Sequence, residues 1–138
     1  MTKQFIYDFI KQHQLAVIST CNSANTPEAA LIGIAVAEKL ELVFDTVTTS
    51  RKYKNILQNP NVALVIGWDN ETTVQYEGVA IELNNSDGDA FKEVYFDTFK
   101  DGRERAETWA NIVHFKIVPN WIRYSSFNEP VVVEEMVF

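Results

Sequence analysis

Apolar and polar positions change period several times along this chain, and each change marks an element. Phe5, Ile6, Phe9 and Ile10 recur at helical spacing behind Thr2, a residue suited to capping, which predicts a short amphipathic helix. Leu15 to Cys21 is β-rich and runs into Asn22-Ser23-Ala24-Asn25-Thr26-Pro27, a turn by composition. Ala29 to Ala37 is nearly continuously apolar, which predicts a strand covered on both faces. Glu38-Lys39 is a tight connection, and Leu40 to Thr46 returns as its hairpin partner. Thr48-Thr49-Ser50 then opens a short helix with Tyr53, Ile56 and Leu57 on one face. It stops at Asn59, because the residue before Pro60 disfavours helical backbone. Val62 to Trp68 and Thr72 to Leu83 read as strands around the turn Asp69-Asn70-Glu71, with Gly78 marking a bulge or bend. Ser86 or Asp87 caps a helix whose Ala90, Phe91, Val94, Tyr95 and Phe99 share a face, and Lys100 to Glu107 reads as a charged loop. Ile112 to Val118 and Trp121 to Ser125 are strands separated by Pro119-Asn120, and Val131 to Val133 is a short edge strand.

Long strands joined by tight turns favour an antiparallel sheet closed or nearly closed into a small barrel. The expected fold is mainly β (α+β): a six- to seven-stranded antiparallel split β-barrel with two to three short helices, in one domain spanning residues 1–138. A doubly wound sheet would need a crossover helix between most strand pairs, which the hairpin at Glu38-Lys39 denies. No apolar run reaches the roughly 20 residues of a membrane-spanning helix. Asp8, Lys11 and His13 interrupt the N-terminal stretch where a signal peptide is apolar, so a cytoplasmic location is the expectation.

A net charge of −7 repels phosphate backbones and anionic bilayers, so neither nucleic acid nor membrane is an expected partner. One cysteine, Cys21, cannot form an internal disulfide, and two histidines offer no zinc-ligand spacing. Against this acidic background, Arg51, Lys52 and Lys54 crowd into the first turn of a helix, where the macrodipole favours anions. Free backbone N–H groups, the hydroxyls of Ser50 and Thr48 or Thr49, a bidentate Arg and a point-charge Lys together make a phosphate receptor. The alternative reading of the same residues is a solvated helix start with Arg51 in a surface ion pair. His13 and His114 have no acid or nucleophile nearby in sequence. Asp97, Asp101, Glu104 and Glu107 have the spacing of a solvated acidic loop. Trp68, Trp109, Trp121 and Tyr124 suit a flat ligand, a core or a dimer interface.

From Pro27 to Gly78 the chain resembles the FMN-binding split barrel of pyridoxamine 5′-phosphate oxidase and its short relatives of general-stress or flavin-reductase type. The residues that carry the resemblance are Phe44-Asp45-Thr46, Ser50-Arg51-Lys52, Asn59-Pro60 with Val62-Ala63-Leu64, Trp68 and Glu77-Gly78, about a third of the chain. The resemblance implies that Thr46, Ser50, Arg51 and Lys52 hold the FMN phosphate. It places backbone groups of Ala30, Leu31 and Ile32 against the ring, and puts Thr73 where the family often has a flavin-contacting Gln. Asp45 stands where the family has an aromatic residue and could meet the ribityl hydroxyls or face water. The resemblance further implies a homodimer with two flavins in grooves between subunits.

The chain departs from the oxidase at positions that matter. Ala30 and Ala35 replace basic residues at the ends of the flavin-facing strand, and Ser125 stands where the family has Trp. Of the substrate-phosphate group only the aromatic pair Tyr95-Phe96 remains. Pyridoxamine phosphate oxidation is therefore not expected. The expected function is FMN-dependent hydride or electron transfer to an unknown small substrate, with no catalytic acid–base residue and no metal. Two alternatives stay open: a flavin-binding sensor or carrier without turnover, and a relative that binds the deazaflavin F420.

Overall fold

Two strands that are almost consecutive in the chain stand at opposite ends of one sheet, and this placement curls the sheet into a barrel. The computed structural model describes residues 1–138. In chain order its elements are α1 Lys3–Lys11, β1 Leu15–Cys21, β2 Pro27–Gly33, β3 Ala35–Val36, β4 Leu42–Val47, α2 Arg51–Gln58, β5 Asn61–Ile66 and β6 Thr72–Glu82. A 3-10 turn Ser86–Gly88, α3 Asp89–Thr98, α4 Gly102–Thr108, β7 Ile112–Ser126 and β8 Val132–Val137 follow. The sheet runs β2-β1-β5-β6-β7-β4-β3, antiparallel at every pairing, with β8 added to β7 beyond the end of β4. Only Ile34 separates β2 from β3, so the chain itself joins the two edges of the sheet.

The interior is apolar and aromatic. Phe44 of β4 and Phe115 of β7 stack with ring centroids 5.4 Å apart. The Tyr76 hydroxyl, fully buried, lies 2.8 Å from the Leu40 carbonyl oxygen and 3.0 Å from that of Ile117, its one proton shared between the two acceptors. Helix α1 buries Ile6 and Ile10 in this core, with Thr2 accepting from the Phe5 amide as its cap. On the outside of β3 and β4, Ala35 and Val43 pack with Leu83 and Tyr95, which seats α3.

The antiparallel split-barrel fold is as the sequence predicts; several details differ. The apolar run Ala29 to Ala37 is two strands, and β2 is an edge strand with one face open: Leu31 is 62% exposed. Leu57 is likewise 62% exposed, because α2 turns Asn55 and Ile56 inward instead. Neither Ser86 nor Asp87 caps α3, which follows Gly88 without a side-chain cap; the Asn85 side-chain oxygen caps the 3-10 turn before it. The charged segment Lys100 to Glu107 is largely helical as α4, the fourth helix. Pro119-Asn120 does not end a strand. Glu77 pairs with Trp121 and Gly78 with Pro119, so β7 carries an extra residue there as a bulge. Pro119 needs no amide partner at such a point. Gly78 faces the bulge, where an added Cβ would run into the Val118 carbonyl oxygen.

Candidate functional site

β4 delivers the chain to the start of α2 at one rim of the barrel, and the local bonding there is tight. Ser50 is extended (φ −73°, ψ 153°) and its Oγ accepts from the Tyr53 amide at 3.2 Å, capping α2. The buried Thr46 donates its hydroxyl to the same Oγ at 3.0 Å, so the last part of β4 fixes the cap. No acidic residue stands in the first turn. The positive end of the helix dipole and two cations therefore share one place. Arg51 and Lys52 line a recess of about 100 Å³ with Ile18 and Thr20 of β1 and Glu28, Ala29 and Ala30 of β2.

Glu28 is the unexpected member. Its Oε2 accepts from Arg51 Nη1 at 3.1 Å, and the Arg51 side chain is 72% exposed, so the surface ion pair of the alternative reading is present. Glu28 Oε1 accepts from Asn55 Nδ2 at 2.8 Å, and Asn22 Nδ2 reaches Oε2 at 3.4 Å. Asn55 is buried and its Nδ2 also donates to Thr20 Oγ1 at 3.0 Å, tying α2 to β1 and β2. The Asn55 bond first, then Asn22 and Arg51, hold the Glu28 carboxyl below the ordinary carboxylate range despite some desolvation. Partial burial pushes the Lys52 ammonium below its usual value, and the Asp45 carboxylate opposes that shift.

Asp45 looks away from the recess. Its Oδ2 accepts from Arg105 Nε at 3.2 Å, across 60 residues of sequence. Arg105 Nη1 pairs with Asp101 at 2.7 Å and Nη2 donates to the Tyr95 hydroxyl at 3.1 Å. Neither Arg105 nor Glu28 stood out as a site residue in the sequence. An unexplained cation within an acidic segment was the one local sign of Arg105, and Glu28 gives no sign at all.

Of the remaining candidates, Ala30 lines the recess, Leu31 points to the open outer face, and Ile32 is buried inward at 6% exposure. Thr73 lies on β6 opposite Ser125, outside the recess, with its Oγ1 buried and without a hydrogen-bond partner. β2 pairs only with β1, so the other edge of Pro27–Gly33 has no strand on it. Both histidines are built into the fold. His13 Nδ1 donates to the Phe9 carbonyl at 2.7 Å and its ring stacks on Phe9. His114 is buried beside the edges of Tyr95 and Phe96, its Nε2 unpartnered, and burial lowers its pKa.

A larger recess, about 490 Å³, lies elsewhere, between α1, β3 and α3. Lys11 is the one cation among its lining residues and shares it with Glu38 and Asp97, so it lacks the paired cations a phosphate requires. The smaller recess, in contrast, brings two cations together at a helix N-terminus.

The sequence profile of pyridoxamine 5′-phosphate oxidase matches residues 2–125 of this chain. The pyridoxine/pyridoxamine 5′-phosphate oxidase of Anaplasma marginale (strain St. Maries) is 31% identical over 83 residues, covering 59% of this chain and 38% of the relative. The chain thus spans well under half the length of that relative. Among solved structures, general stress protein 26 of Bacillus anthracis str. Sterne superposes with a TM-score of 0.74 at 23% identity, covering 99% of this chain and 98% of that one. A pyridoxamine 5′-phosphate oxidase-related, FMN-binding protein of Nostoc punctiforme PCC 73102 gives 0.70 at 13% identity, covering 91% and 86%. A heme-binding protein of Mycobacterium smegmatis gives 0.80 at 11% identity, covering 95% of this chain and 56% of that one. At these identities the superpositions establish the shared fold.

Proposed function

The chain belongs to the pyridoxamine 5′-phosphate oxidase family, and on that premise we propose that it binds FMN non-covalently at a homodimer interface and serves hydride or electron exchange with a small molecule. The observation that carries the proposal is the recess in which Arg51 and Lys52 meet β2 at the capped start of α2. The residues fit the group. A recess of about 100 Å³ suits a phosphate and leaves the three-ring system outside, over β2. There the strand's unpaired edge offers N–H and C=O groups to the polar rim of a flavin. Bound flavin would supply the redox chemistry; Arg51, Lys52 and the Ser50 cap would hold and orient it.

Apolar cover for the ring favours a second copy of the chain. Val17 is the register partner of Leu31 on one side and of Val65 on the other, and all three side chains are exposed on the outer face. Beyond them the same row turns polar through Gln75, Arg123 and Glu135, so the apolar patch ends where β6 begins. Such a contiguous patch beside a cofactor recess is what an interface requires. The buried Thr73 hydroxyl, remote from the recess in one protomer, becomes relevant only through the other.

A flavin-binding module without turnover is the second reading, favoured by β2 itself: Pro27–Gly33 carries no cation to anchor a substrate. Heme is disfavoured by this chain's own imidazoles, both committed to internal packing. The deciding experiment is the visible spectrum of freshly purified protein with its mass in solution. Flavin absorbance, or its appearance on adding FMN, with the mass of a dimer supports the proposal. A colourless protein that takes up neither FMN nor F420 overturns it. Reduction of the bound flavin by NADH or NADPH then separates an enzyme from a carrier.

A further inference from the structure

A receptor for a phosphate dianion gains nothing from a carboxylate, yet one is held in place here. Two cations and Glu28 line the recess, leaving one net positive charge where a phosphate monoester carries about −1.5 to −2 at pH 7. Glu28 is not a passing neighbour. Asn55, itself buried and anchored on Thr20, fixes one oxygen, and Arg51 binds the other. Any anion entering the corner therefore competes with Glu28 for the Arg51 guanidinium and meets its charge at short range.

We propose that Glu28 is an affinity-limiting residue: its carboxylate competes with a dianionic phosphate for Arg51 and weakens the grip of the corner on FMN. This rests on the flavin reading above and adds to it the residue that limits the affinity for the phosphate. The carboxylate also holds Arg51 at the rim when no ligand is bound, so ligand entry exchanges one ion pair for another instead of neutralising a bare cation.

The test compares full-length wild type with Glu28→Gln, which keeps an acceptor for Asn55 and removes the charge. Fluorescence titrations use FMN and riboflavin, which share the ring and differ in the phosphate. Glu28→Gln is expected to bind FMN about tenfold more tightly and riboflavin within about twofold of wild type. Glu28→Ser, which lacks the charge and the amide, gives the same gain and guards against misfolding of the first variant. FMN affinity equal to or weaker than wild type in both folded variants overturns the proposal while leaving flavin binding intact; Glu28 then serves to orient Arg51. If wild type and variants alike bind neither FMN nor riboflavin, the flavin reading fails, and this inference fails with it.

Discussion

Arg51 and Lys52 are neighbours in sequence, yet the structure gives them unequal weight, and the inequality is measurable. Removing one charge-assisted contact to a phosphate costs about 1.5–3 kcal/mol, or roughly 10–150-fold in affinity. The Arg51 side chain is 72% exposed and already paired with Glu28 at 3.1 Å, so solvent screening and the existing pair hold Arg51→Ala to the low end, about tenfold. Lys52 is half-buried and makes no ion pair of its own, so Lys52→Met falls toward the high end, about a hundredfold. The same burial has a consequence for folding. The Lys52 pKa is lowered in the folded chain, so the unfolded chain binds the proton more readily and stability rises with pH up to the ordinary lysine value of about 10.4. At neutral pH the charged lysine opposes folding, and Lys52→Met is expected to melt no lower than wild type while losing FMN. The assays are fluorescence titrations with FMN and riboflavin at about 0.15 M salt, and thermal melts without ligand. A larger loss for Arg51→Ala than for Lys52→Met, or equal losses for FMN and riboflavin, would refute the reasoning.

His114 is buried with a lowered pKa, desolvation and the charges of Lys92 and Arg105 outweighing the Asp45 carboxylate. The unfolded chain therefore takes up its proton first, and stability falls as pH drops below about 6.5. His114→Phe should flatten the change in melting temperature between pH 7.5 and 5.5, and an unchanged acid slope would place the effect elsewhere. Tyr76→Phe strands the buried carbonyls of Leu40 and Ile117, at a cost of about 2 kcal/mol or roughly 6–10 °C in melting temperature. Calorimetry showing a loss under 2 °C would mean that those carbonyls find other donors. Val17→Glu puts a charge in the centre of the exposed apolar row and should yield monomers with weakened flavin uptake by light scattering and titration. A dimer mass that survives the change would move the interface to another face.

Local chemistry was legible in the sequence wherever it acts over a few residues. Thr2 and Ser50 cap the helices they precede, the turn at Glu38-Lys39 makes the hairpin, and Gly78 marks a bulge, each because its cause lies within one turn or one strand pair. The basic start of α2 was visible for the same reason. Long-range pairing was not legible. The ion pair between Asp45 and Arg105 spans 60 residues, and α4, which carries Arg105, has Ala106 as its one apolar residue, so neither period nor propensity marks it. Glu28 looked like any strand polar residue until β2 was laid beside β1 and α2. Pro119 looked like a strand end because the bulge that accommodates it depends on β6 opposite.

Two carboxylates near the corner are answered in different ways, and the difference sets its electrostatics. Asp45 precedes Thr46 on β4 and would by itself offset the Lys52 charge. Arg105 arrives from α4 and takes it up at 3.2 Å, with Asp101 and Tyr95 engaging the other guanidinium nitrogens. That pair is internal, so Lys52 keeps its charge for a ligand. Glu28, in contrast, is answered by Arg51, one of the two cations that a ligand would itself use. The Asp45 pair therefore leaves the field at the corner unchanged when an anion enters, whereas the Glu28 pair must be rearranged or shared. On the proposed flavin reading, the residue that limits phosphate affinity stands on β2, the same edge strand that would meet the ring, so anion and ring recognition would be coupled through a single element.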